Sequence, residues 1–561
     1  MNFIKNALTK TLTGAALVAL VALGVAFNQP VAEKYSMIVQ GQSTEAVANA
    51  VRTIGGEITH ELGIINAVAA ELTASQRAEL QGHAAVLNMS ADREVKTAGG
   101  VAGGSPTAYA HFPTLVNADA VHADGVTGQS VTVAILDSGM AATAELQKDT
   151  SGSGRMQGRY NSITGMEGPH NDKYGHGTHV ASIILNTDYA DDGTMRRNSI
   201  SPDVKAISVK AFDQFGQGSY ANVIEGLDWI LEHQSEHNIR VLNLSFSAPA
   251  VSHYWDDPIN QAVMQLWQAG IVVVASAGNT GPDPMTIGVP GNNPYVITVG
   301  AMSDNYTPAD PSDDVLASFS AAGPTVEGFV KPEIVAPGGH IVARSRPTST
   351  IATEHPEFHD HDKYFMMSGT SQAAAVVSGV AALVLDANPG LSADDVKCRI
   401  MASARPAVDG NGQLAYSVFQ QGAGMIDAHA AVNGTATGCA NQGLDIDLDI
   451  TGQRHYGGRA NVDENGDYYI MGMEGYLWAN GYLWSNGYLW SNGYLWANGY
   501  LWANGYLWTD GSVGANGYLW NDGYLWTNGY LWANGYLWSN GYLWSNSLTE
   551  TAGVVHWVDQ E

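Results

Sequence analysis

Polar residues with the side chains that nucleophilic catalysis needs stand at predicted strand ends and helix starts; they are Asp137, His176, Asn279 and Ser371. Ser371 begins an apolar segment, 371–385, that predicts a buried helix. The first turn of such a helix has a fixed position, unpaired N–H groups and a positive dipole end. Gly369 just before it removes steric bulk, so that the hydroxyl can be presented to a bound carbonyl. A helix N-cap serine is the common alternative, and the segment alone does not decide between them.

The other three residues also have ordinary structural interpretations when each is taken alone. Asp137 and Asn279 each follow a predicted strand, where turns favour these residue types. His176 and His179 could share a metal ion, but no glutamate lies between them and no third ligand is evident. All four, however, fall at predicted strand ends or helix starts of one domain, which the separate structural interpretations do not explain and which favours a single catalytic set.

Alternating strands and helices are predicted to position these residues within a large domain, 111–433. The predicted strands are 130–136, 205–209, 240–244, 271–275 and 295–299, and the intervening helices include 220–233 and 260–269. This alternation is typical of an α/β fold with a mostly parallel sheet covered by helices. Sites in such sheets lie beyond the carboxyl ends of the strands, which is where Asp137 and Asn279 fall.

Several motifs of the large domain occur in the order found in subtilisin-family serine proteases (subtilases); they are residues 133–139, 175–181, 275–279, 331–338 and 368–375. The domain resembles that family, and the order Asp, His, Ser is that of subtilisin rather than of chymotrypsin. The resemblance implies a subtilisin-like fold and peptide-bond hydrolysis. The sequence departs at Gln372 and Ala375, where many relatives have Met and Pro. Neither position supplies a proton or charge, so the departure concerns subgroup rather than activity.

The resemblance also implies a role for each polar residue. Ser371 would attack the peptide carbonyl, His176 would move its proton, and Asp137 would hold the histidine tautomer. Asn279 and the backbone N–H of Ser371 would form the oxyanion hole. The chemistry needs no cofactor or metal, and the resemblance allows structural calcium, which stabilises many subtilases.

Substrate binding is likewise carried over from the family. Substrate strands would pair with backbone beside 244–247 and with the segment before Asn279. The residues expected to line the first specificity pocket are Ser245, Phe246, Ser247, Ser276 and Gly278. These segments contain no charged group, which favours an apolar residue before the cleaved bond.

Composition and the N-terminal segment point to an exported protein. The net charge of -29 argues against nucleic acid as a partner, because phosphate binding needs basic patches. Residues 1–27 combine lysines with an apolar run shorter than the roughly 20 residues of a membrane span, which predicts a signal peptide rather than an anchor. We therefore expect a secreted or extracellular protein. Cys398 and Cys439 could form one disulfide.

Residues 34–96 predict a small α+β unit, with a strand at 36–40 and helices at 43–54 and 75–81. The unit is similar to a subtilisin propeptide, which implies a zymogen whose own propeptide inhibits it; an unrelated appendage is the alternative. A linker rich in Gly, Ala and Ser, 97–110, would contain the removable boundary, between Lys96 and His111.

Two acidic stretches could in principle bind a metal, but a simpler interpretation is favoured for both. Residues 354–362 are expected to form a solvated loop. Residues 463–474 partly match a calcium loop, but Tyr468 stands where that loop needs glycine, which favours an ordinary acidic turn. The surrounding polar segment, 434–474, is interpreted as an acidic linker.

The last region before a short tail, 547–561, is an array of twelve hexamers, 475–546, of the form Gly-Tyr-Leu-Trp-Ala/Ser-Asn. Asn-Gly turns would suit a hairpin meander, whereas a six-residue period would suit a β-solenoid; a disordered tail is a third interpretation. Its eleven Trp exceed what a small core hides, so we expect an aromatic surface that binds glycans or a cell surface. A self-packed array without a ligand has equal standing.

The sequence therefore predicts a secreted serine endopeptidase made as a zymogen and acting on polypeptides. Two rivals come from other classes. One is a binding protein on an inactive protease fold, which would have no need of all four catalytic side chains. The other is a surface-associated, adhesin-like protein in which the array carries the main function and the protease serves self-processing.

Overall fold

The computed structural model describes residues 34–97, 111–190, 194–308, 310, 312–409, 413–463 and 466–471, together with eight short strands between 495 and 538. The predicted signal peptide 1–27, the linker after Thr97 and the tail 547–561 lie outside the described residues. The chain divides into two compact units, Met1–Asp92 and Arg93–Glu561.

The first unit is a four-stranded antiparallel sheet with two helices. Its elements are β1 Lys34–Gly41, α1 Thr44–Thr53, β2 Glu57–Leu62, β3 Ala67–Thr73, α2 Ala74–Leu80 and β4 Val86–Ala91, with a 3-10 turn at Gly63–Ile65. The strand order is β2-β3-β1-β4. Ser43 caps α1, and Thr73 and Gln76 form a capping box on α2. Val39, Val51 and other apolar residues fill the space between sheet and helices. The predicted α+β architecture is confirmed.

The second unit is built around a nine-stranded sheet. The strands of this unit before the hexamer array are β5 Glu94–Thr97, β6 Thr132–Asp137, β7 Met156–Asn161, β8 Met166–Glu167, β9 Lys205–Lys210, β10 Gln217–Ser219, β11 Ile239–Leu244, β12 Phe246–Ser247, β13 Val272–Ser276, β14 Ile297–Ser303, β15 Val315–Leu316, β16 Ile334–Pro337, β17 Ile341–Arg344, β18 Tyr364–Met367, β19 Ala460–Val462 and β20 Tyr468–Ile470. The main sheet runs β15-β14-β13-β11-β6-β9-β7-β8, with β16 beside β14, and only the pairs made by β15 and β8 are antiparallel. All five strands predicted for the large domain lie in this sheet, so the α/β fold class is confirmed.

Helices cover this sheet. They are α3 Phe112–Leu115, α4 Ala118–Ala123, α5 Ala144–Gln147, α6 His176–Leu185, α7 Tyr220–Glu232, α8 Gln234–His237, α9 Pro258–Gln268, α10 Thr350–Glu354, α11 Thr370–Ala387, α12 Ala393–Ala402, α13 Val418–Gln421, α14 Ala428–Asn433 and α15 Ile446–Ile450. Helix α11 is buried along nearly its whole length because it packs between the main sheet and α6. Among the described helices it alone has the length and hydropathy of a membrane span, and 89% of that window is buried inside the fold.

The interpretation of 434–474 as a linker is wrong for its described part, which folds into α15, β19 and β20. The Cys398–Cys439 disulfide joins α12 to the first residues of this segment. The acidic residues that suggested solvation act instead as caps and acceptors: Asp445 caps α15, and the buried Asp449 accepts hydrogen bonds from two tyrosine hydroxyls at 2.6 and 2.9 Å. Composition alone does not reveal such pairing.

The described part of the hexamer array consists of eight strands, β21 Leu495–Ala497, β22 Leu501–Ala503, β23 Leu507–Thr509, β24 Val513–Ala515, β25 Leu519–Asn521, β26 Leu525–Thr527, β27 Leu531–Ala533 and β28 Leu537–Trp538. Each paired strand lies parallel to the strand three repeats along, as in Leu495 opposite Val513. Consecutive hairpins would be antiparallel, so this pairing matches the solenoid interpretation rather than the meander.

Candidate active site

A buried aspartate and histidine form the centre of the site. Asp137 is the last residue of β6, and His176 is the first residue of α6. His176 Nδ1 lies 2.8 and 3.0 Å from the two carboxylate oxygens of Asp137. Because a carboxylate only accepts, Nδ1 carries a proton, and in the neutral ring Nε2 is then an acceptor. That Nε2 is buried and has no hydrogen-bond partner among the described residues.

The glycine after His176 allows the histidine to approach Asp137 closely. A Cβ on Gly177 would lie 2.2 Å from the carbonyl oxygen of Gly139 and 3.0 Å from Asp137 Oδ1, so only glycine allows this approach. The sequence did not single out Asp172. Its carboxylate accepts hydrogen bonds from Ser138 Oγ, from the backbone N–H groups of Gly175 and Thr178, and from the Thr178 hydroxyl. It ties the turn that carries His176 to the end of β6.

Ser371 is the second residue of α11 and is fully buried. Its Oγ donates to the carbonyl oxygen of Ser245 at 3.0 Å, and Ser245 Oγ donates to the carbonyl oxygen of Ser371 at 2.9 Å. These reciprocal bonds fasten the start of α11 to the carboxyl end of β11. The buried helix that the apolar pattern predicted therefore holds this serine at a strand end of the main sheet.

His179 connects α6 to α11 and is structural. Its Nε2 lies 3.2 Å from the carbonyl oxygen of Ile341 and 3.0 Å from that of Phe365, so this nitrogen carries the proton. Its Nδ1 then accepts from Gln372 Nε2, 3.5 Å away, beside Ser371. Burial lowers the pKa of His179 to about 3, so the ring stays neutral.

Asn279 follows β13 and faces the start of α11. Its Oδ1 accepts from the backbone N–H of Thr370 at 3.0 Å and from the Thr370 hydroxyl at 2.8 Å. A backbone N–H can only donate, so the orientation of the amide is fixed and Nδ2 points elsewhere. Nδ2 is buried without a partner in the described part of the chain. The amide thus presents an unused donor one residue from Ser371, as an anion-stabilising group would.

The residues expected to line the specificity pocket lie on two adjoining segments. Ser276 Oγ donates to the carbonyl oxygen of Phe246 at 2.8 Å, and a Cβ on Gly278 would lie 3.0 Å from Ser247 Oγ. The ring of Phe246 packs into the core against Phe212, so only its backbone faces the groove described next. A third segment, around Gly288, also adjoins these residues and was not predicted from the sequence. A Cβ on Gly288 would lie 2.0 Å from Ser247 Oγ.

A segment of the chain itself lies in a groove beside Ser371. Strand β5 pairs antiparallel with β12 on one side and β10 on the other. Thr97 is opposite Phe246, and Lys96 is opposite both Ser247 and Gln217. The pairing expected for substrate strands, at 244–247 and at the segment before Asn279, stays a prediction; β5 itself pairs within 244–247 and with β10. The short polar run of β10 gave no strand signal.

The described residues contain no group of three or more His, Cys, Asp or Glu side chains placed to hold a metal ion. Within 354–362, Asp360 Oδ1 instead accepts backbone N–H groups from the next turn at 2.8 to 2.9 Å. The other acidic stretch, 463–474, lies partly outside the described residues.

Comparison with known proteins places most of the second unit in one family. The family model described as the subtilase family matches residues 128–424. Serine protease AprX of Bacillus subtilis is 39% identical over 48% of this chain and 60% of its own length, and subtilisin DY of Bacillus licheniformis is 32% identical over 56% of this chain and 96% of its own. The solved structure of fervidolysin from Fervidobacterium pennivorans, a keratinolytic enzyme related to subtilisin, shares the fold, with a TM-score of 0.55 and 20% identity over 73% of this chain and 62% of that one. The chain thus spans less than two thirds of AprX and nearly all of subtilisin DY.

Proposed function

The chain belongs to the subtilase family of serine proteases, and we propose that it is an endopeptidase whose catalytic residues are Asp137, His176 and Ser371. The observation that carries this proposal is a pair of buried polar atoms without partners among the described residues, His176 Nε2 and Asn279 Nδ2. Leaving such atoms unpaired costs about 1–3 kcal/mol each, a cost that is understandable where the reaction supplies both partners: the Ser371 hydroxyl proton for Nε2 and the oxyanion of the substrate for Nδ2.

In the proposed mechanism, Ser371 Oγ attacks the peptide carbonyl carbon while His176 Nε2 takes the hydroxyl proton. Asp137 stabilises the imidazolium that forms. The carbonyl oxygen becomes an oxyanion, which accepts from Asn279 Nδ2 and from the Ser371 backbone N–H. His176 then donates its proton to the leaving amine. Water attacks the acyl-enzyme by the same route and regenerates Ser371.

We also propose that the protein is made as a zymogen. Support comes from β5, which fills the groove between β10 and β12 in the extended form that a substrate would take. Residues 34–92 would then be removed together with β5 by cleavage between Lys96 and His111. Thr97, opposite Phe246, is the last described residue of β5, and the carbonyl of the neighbouring Ser245 accepts from Ser371.

Secretion is proposed from the signal-like segment 1–27 and is supported by the Cys398–Cys439 disulfide, which suits an oxidising compartment. For the hexamer array, 475–546, we propose attachment to a glycan or cell surface. Deletion of the array should leave cleavage of soluble peptides intact and abolish retention on the cell surface. The isolated array binding no polysaccharide would contradict the glycan proposal.

The catalytic proposal is tested by expressing the wild-type chain and its Ser371→Ala variant. The wild-type protein should react with a serine-directed phosphonate at Ser371, and its mature N-terminus, read by mass spectrometry, should lie between residues 96 and 111. The Ser371→Ala chain should remain full length after signal removal and should not react. A wild-type protein that neither reacts nor cleaves any peptide would instead be a binding protein on an inactive protease fold.

A further inference from the structure

We propose that the second unit contains an arginine-recognising subsite, formed by Asp257, Tyr220 and the backbone carbonyl of Pro249. It would select polypeptide substrates that carry an arginine several residues upstream of the cleaved bond. The inference rests on the proposed endopeptidase function and goes beyond it, because it names a substrate feature read far from Ser371.

The subsite is occupied by the chain's own Arg93, immediately before β5. Arg93 Nη2 donates to Asp257 Oδ2 and to the Tyr220 hydroxyl, both at 2.6 Å, and Nη1 lies 3.4 Å from the carbonyl oxygen of Pro249. The guanidinium carbon stands 4.2 Å from the centre of the Tyr220 ring. A planar cation with several donors is thus recognised by a carboxylate, a hydroxyl, a carbonyl and an aromatic face.

The protein side of this subsite is built independently of Arg93. Asp257 is fully buried as the N-cap of α9, where its Oδ1 accepts from the N–H groups of Ile259 and Asn260. Its Oδ2 accepts from the Tyr220 hydroxyl at 3.0 Å. Burial, with Asp257 beside it, raises the pKa of Tyr220 well above its ordinary value, so the hydroxyl keeps its proton. The carboxylate therefore has a fixed position and one oxygen directed at the cation.

Backbone pairing sets the distance between this subsite and the catalytic serine. The Arg93 carbonyl oxygen accepts from the Tyr220 N–H at 2.7 Å, and the pairing continues along β10 to Lys96. Thr97, four residues beyond Arg93, lies opposite Phe246. An extended chain rises about 3.3 Å per residue, so Arg93 sits roughly 13 Å before Thr97. A substrate bound in the same register would bring its own arginine to Asp257.

Loss of β5 on maturation would leave the subsite ready for another arginine. Without Arg93, Asp257 Oδ2 would keep only the Tyr220 hydroxyl among these partners. A buried carboxylate that loses its cation is strongly disfavoured. A substrate with arginine in this register restores the pair, whereas a substrate with alanine leaves it broken.

The first experiment uses the self-processed wild-type enzyme and internally quenched peptides with the sequence of residues 92–103. The Arg93→Ala peptide should show kcat/KM lower by roughly 10- to 100-fold, mainly through a higher KM, because a charge-assisted contact to a buried group is lost. The Arg93→Lys peptide should fall between the two. The matched Lys96→Ala peptide removes a cation from the same strand and should change kcat/KM by less than about threefold. Equal kcat/KM values for the parent and Arg93→Ala peptides would overturn the subsite.

The second experiment repeats the comparison with the Asp257→Asn enzyme. Asparagine retains an oxygen for the cap of α9 but removes the charge, so the ratio of kcat/KM between the parent and Arg93→Ala peptides should fall towards one. Asp445→Asn, the same change at the cap of α15, should keep the wild-type ratio. An unchanged ratio in Asp257→Asn would contradict the proposal. If no peptide of any sequence is cleaved, the proposed function fails; if peptides are cleaved without preference for arginine, only the subsite fails.

Discussion

The two ends of the groove that holds β5 differ in how their buried polar atoms are satisfied. At the catalytic end, His176 Nε2 and Asn279 Nδ2 are buried without partners among the described residues. At the other end, Asp257 accepts from Arg93, from Tyr220 and from the first turn of α9. Hydrogen bonds that form only in the transition state raise kcat, whereas those already made with the bound chain raise affinity. The comparison therefore predicts that the two ends control different kinetic constants.

The largest effect expected at the catalytic end is that of Asp137→Asn. An amide can donate to His176 Nδ1, which would move the ring proton to Nε2 and remove the base. We expect kcat to fall by about 10⁴-fold with little change in KM. Steady-state kinetics with the residue 92–103 peptide checks this, with Asp445→Asn as the matched control. A loss below about tenfold would mean that the tautomer set by Asp137 is not what catalysis depends on.

Asn279→Ala tests the second unpaired atom at the same end. Removing one oxyanion donor should lower kcat by about 100- to 1,000-fold and leave KM within a few-fold. The neighbouring Thr280→Ala, whose hydroxyl contacts the carbonyl of Thr286, is the control and should retain wild-type kcat. If the loss from Asn279→Ala appeared in KM instead, the amide would bind the ground state and the contrast between the two ends would break.

The residues proposed for the catalytic end could be singled out from the sequence because their side chains stand at predicted strand ends and at a predicted helix start. Asp137, Asn279 and Ser371 stand at the strand ends or helix start that the apolar patterns indicated. The arginine end was not predictable, because it depends on the Pro249 carbonyl and on pairing between strands distant in sequence. Two-residue and three-residue strands such as β12 and β10 are too short for a periodic pattern.

Supporting residues were missed for a related reason. Asp172 has the sequence setting of an ordinary turn residue, and only the fold shows that it accepts hydrogen bonds from both sides of the Asp137–His176 pair. The buried Asp449 was overlooked because the composition of 434–471 suggests a solvated segment. Local sequence reports the type of side chain and its periodicity, whereas these residues are defined by long-range partners.

His179 offers a second contrast, because this buried neutral histidine lies on the same helix as His176, the proposed base. Burial lowers its pKa from 6.5 to about 3. The unfolded chain then binds this proton below pH 6.5 while the folded chain does not, so the contribution of neutral His179 is present above pH 6.5 and is lost as pH falls towards 3. Between about pH 6.5 and 5.5, the free energy of unfolding should decrease by up to about 1.4 kcal/mol from this residue.

Urea unfolding of the Ser371→Ala protein, which cannot digest itself, would measure this pH dependence. The His179→Gln variant should lose that part of the slope, whereas the exposed His83→Gln should keep it. Equal slopes in both variants would show that His179 titrates normally in the fold.

Tyr220→Phe is the mildest way to perturb the arginine end, because it removes one hydroxyl and keeps the aromatic face. Arg93 of the peptide would still contact Asp257 and the aromatic ring. We therefore expect kcat/KM for the residue 92–103 peptide to fall roughly fivefold, about 1 kcal/mol, through a higher KM. The Arg93→Ala peptide makes no contact with that hydroxyl and should be affected less, which provides the internal control. A fall in kcat of equal size for both peptides would show that Tyr220 acts through the geometry of Ser371, and the two ends of the groove would then not be separable.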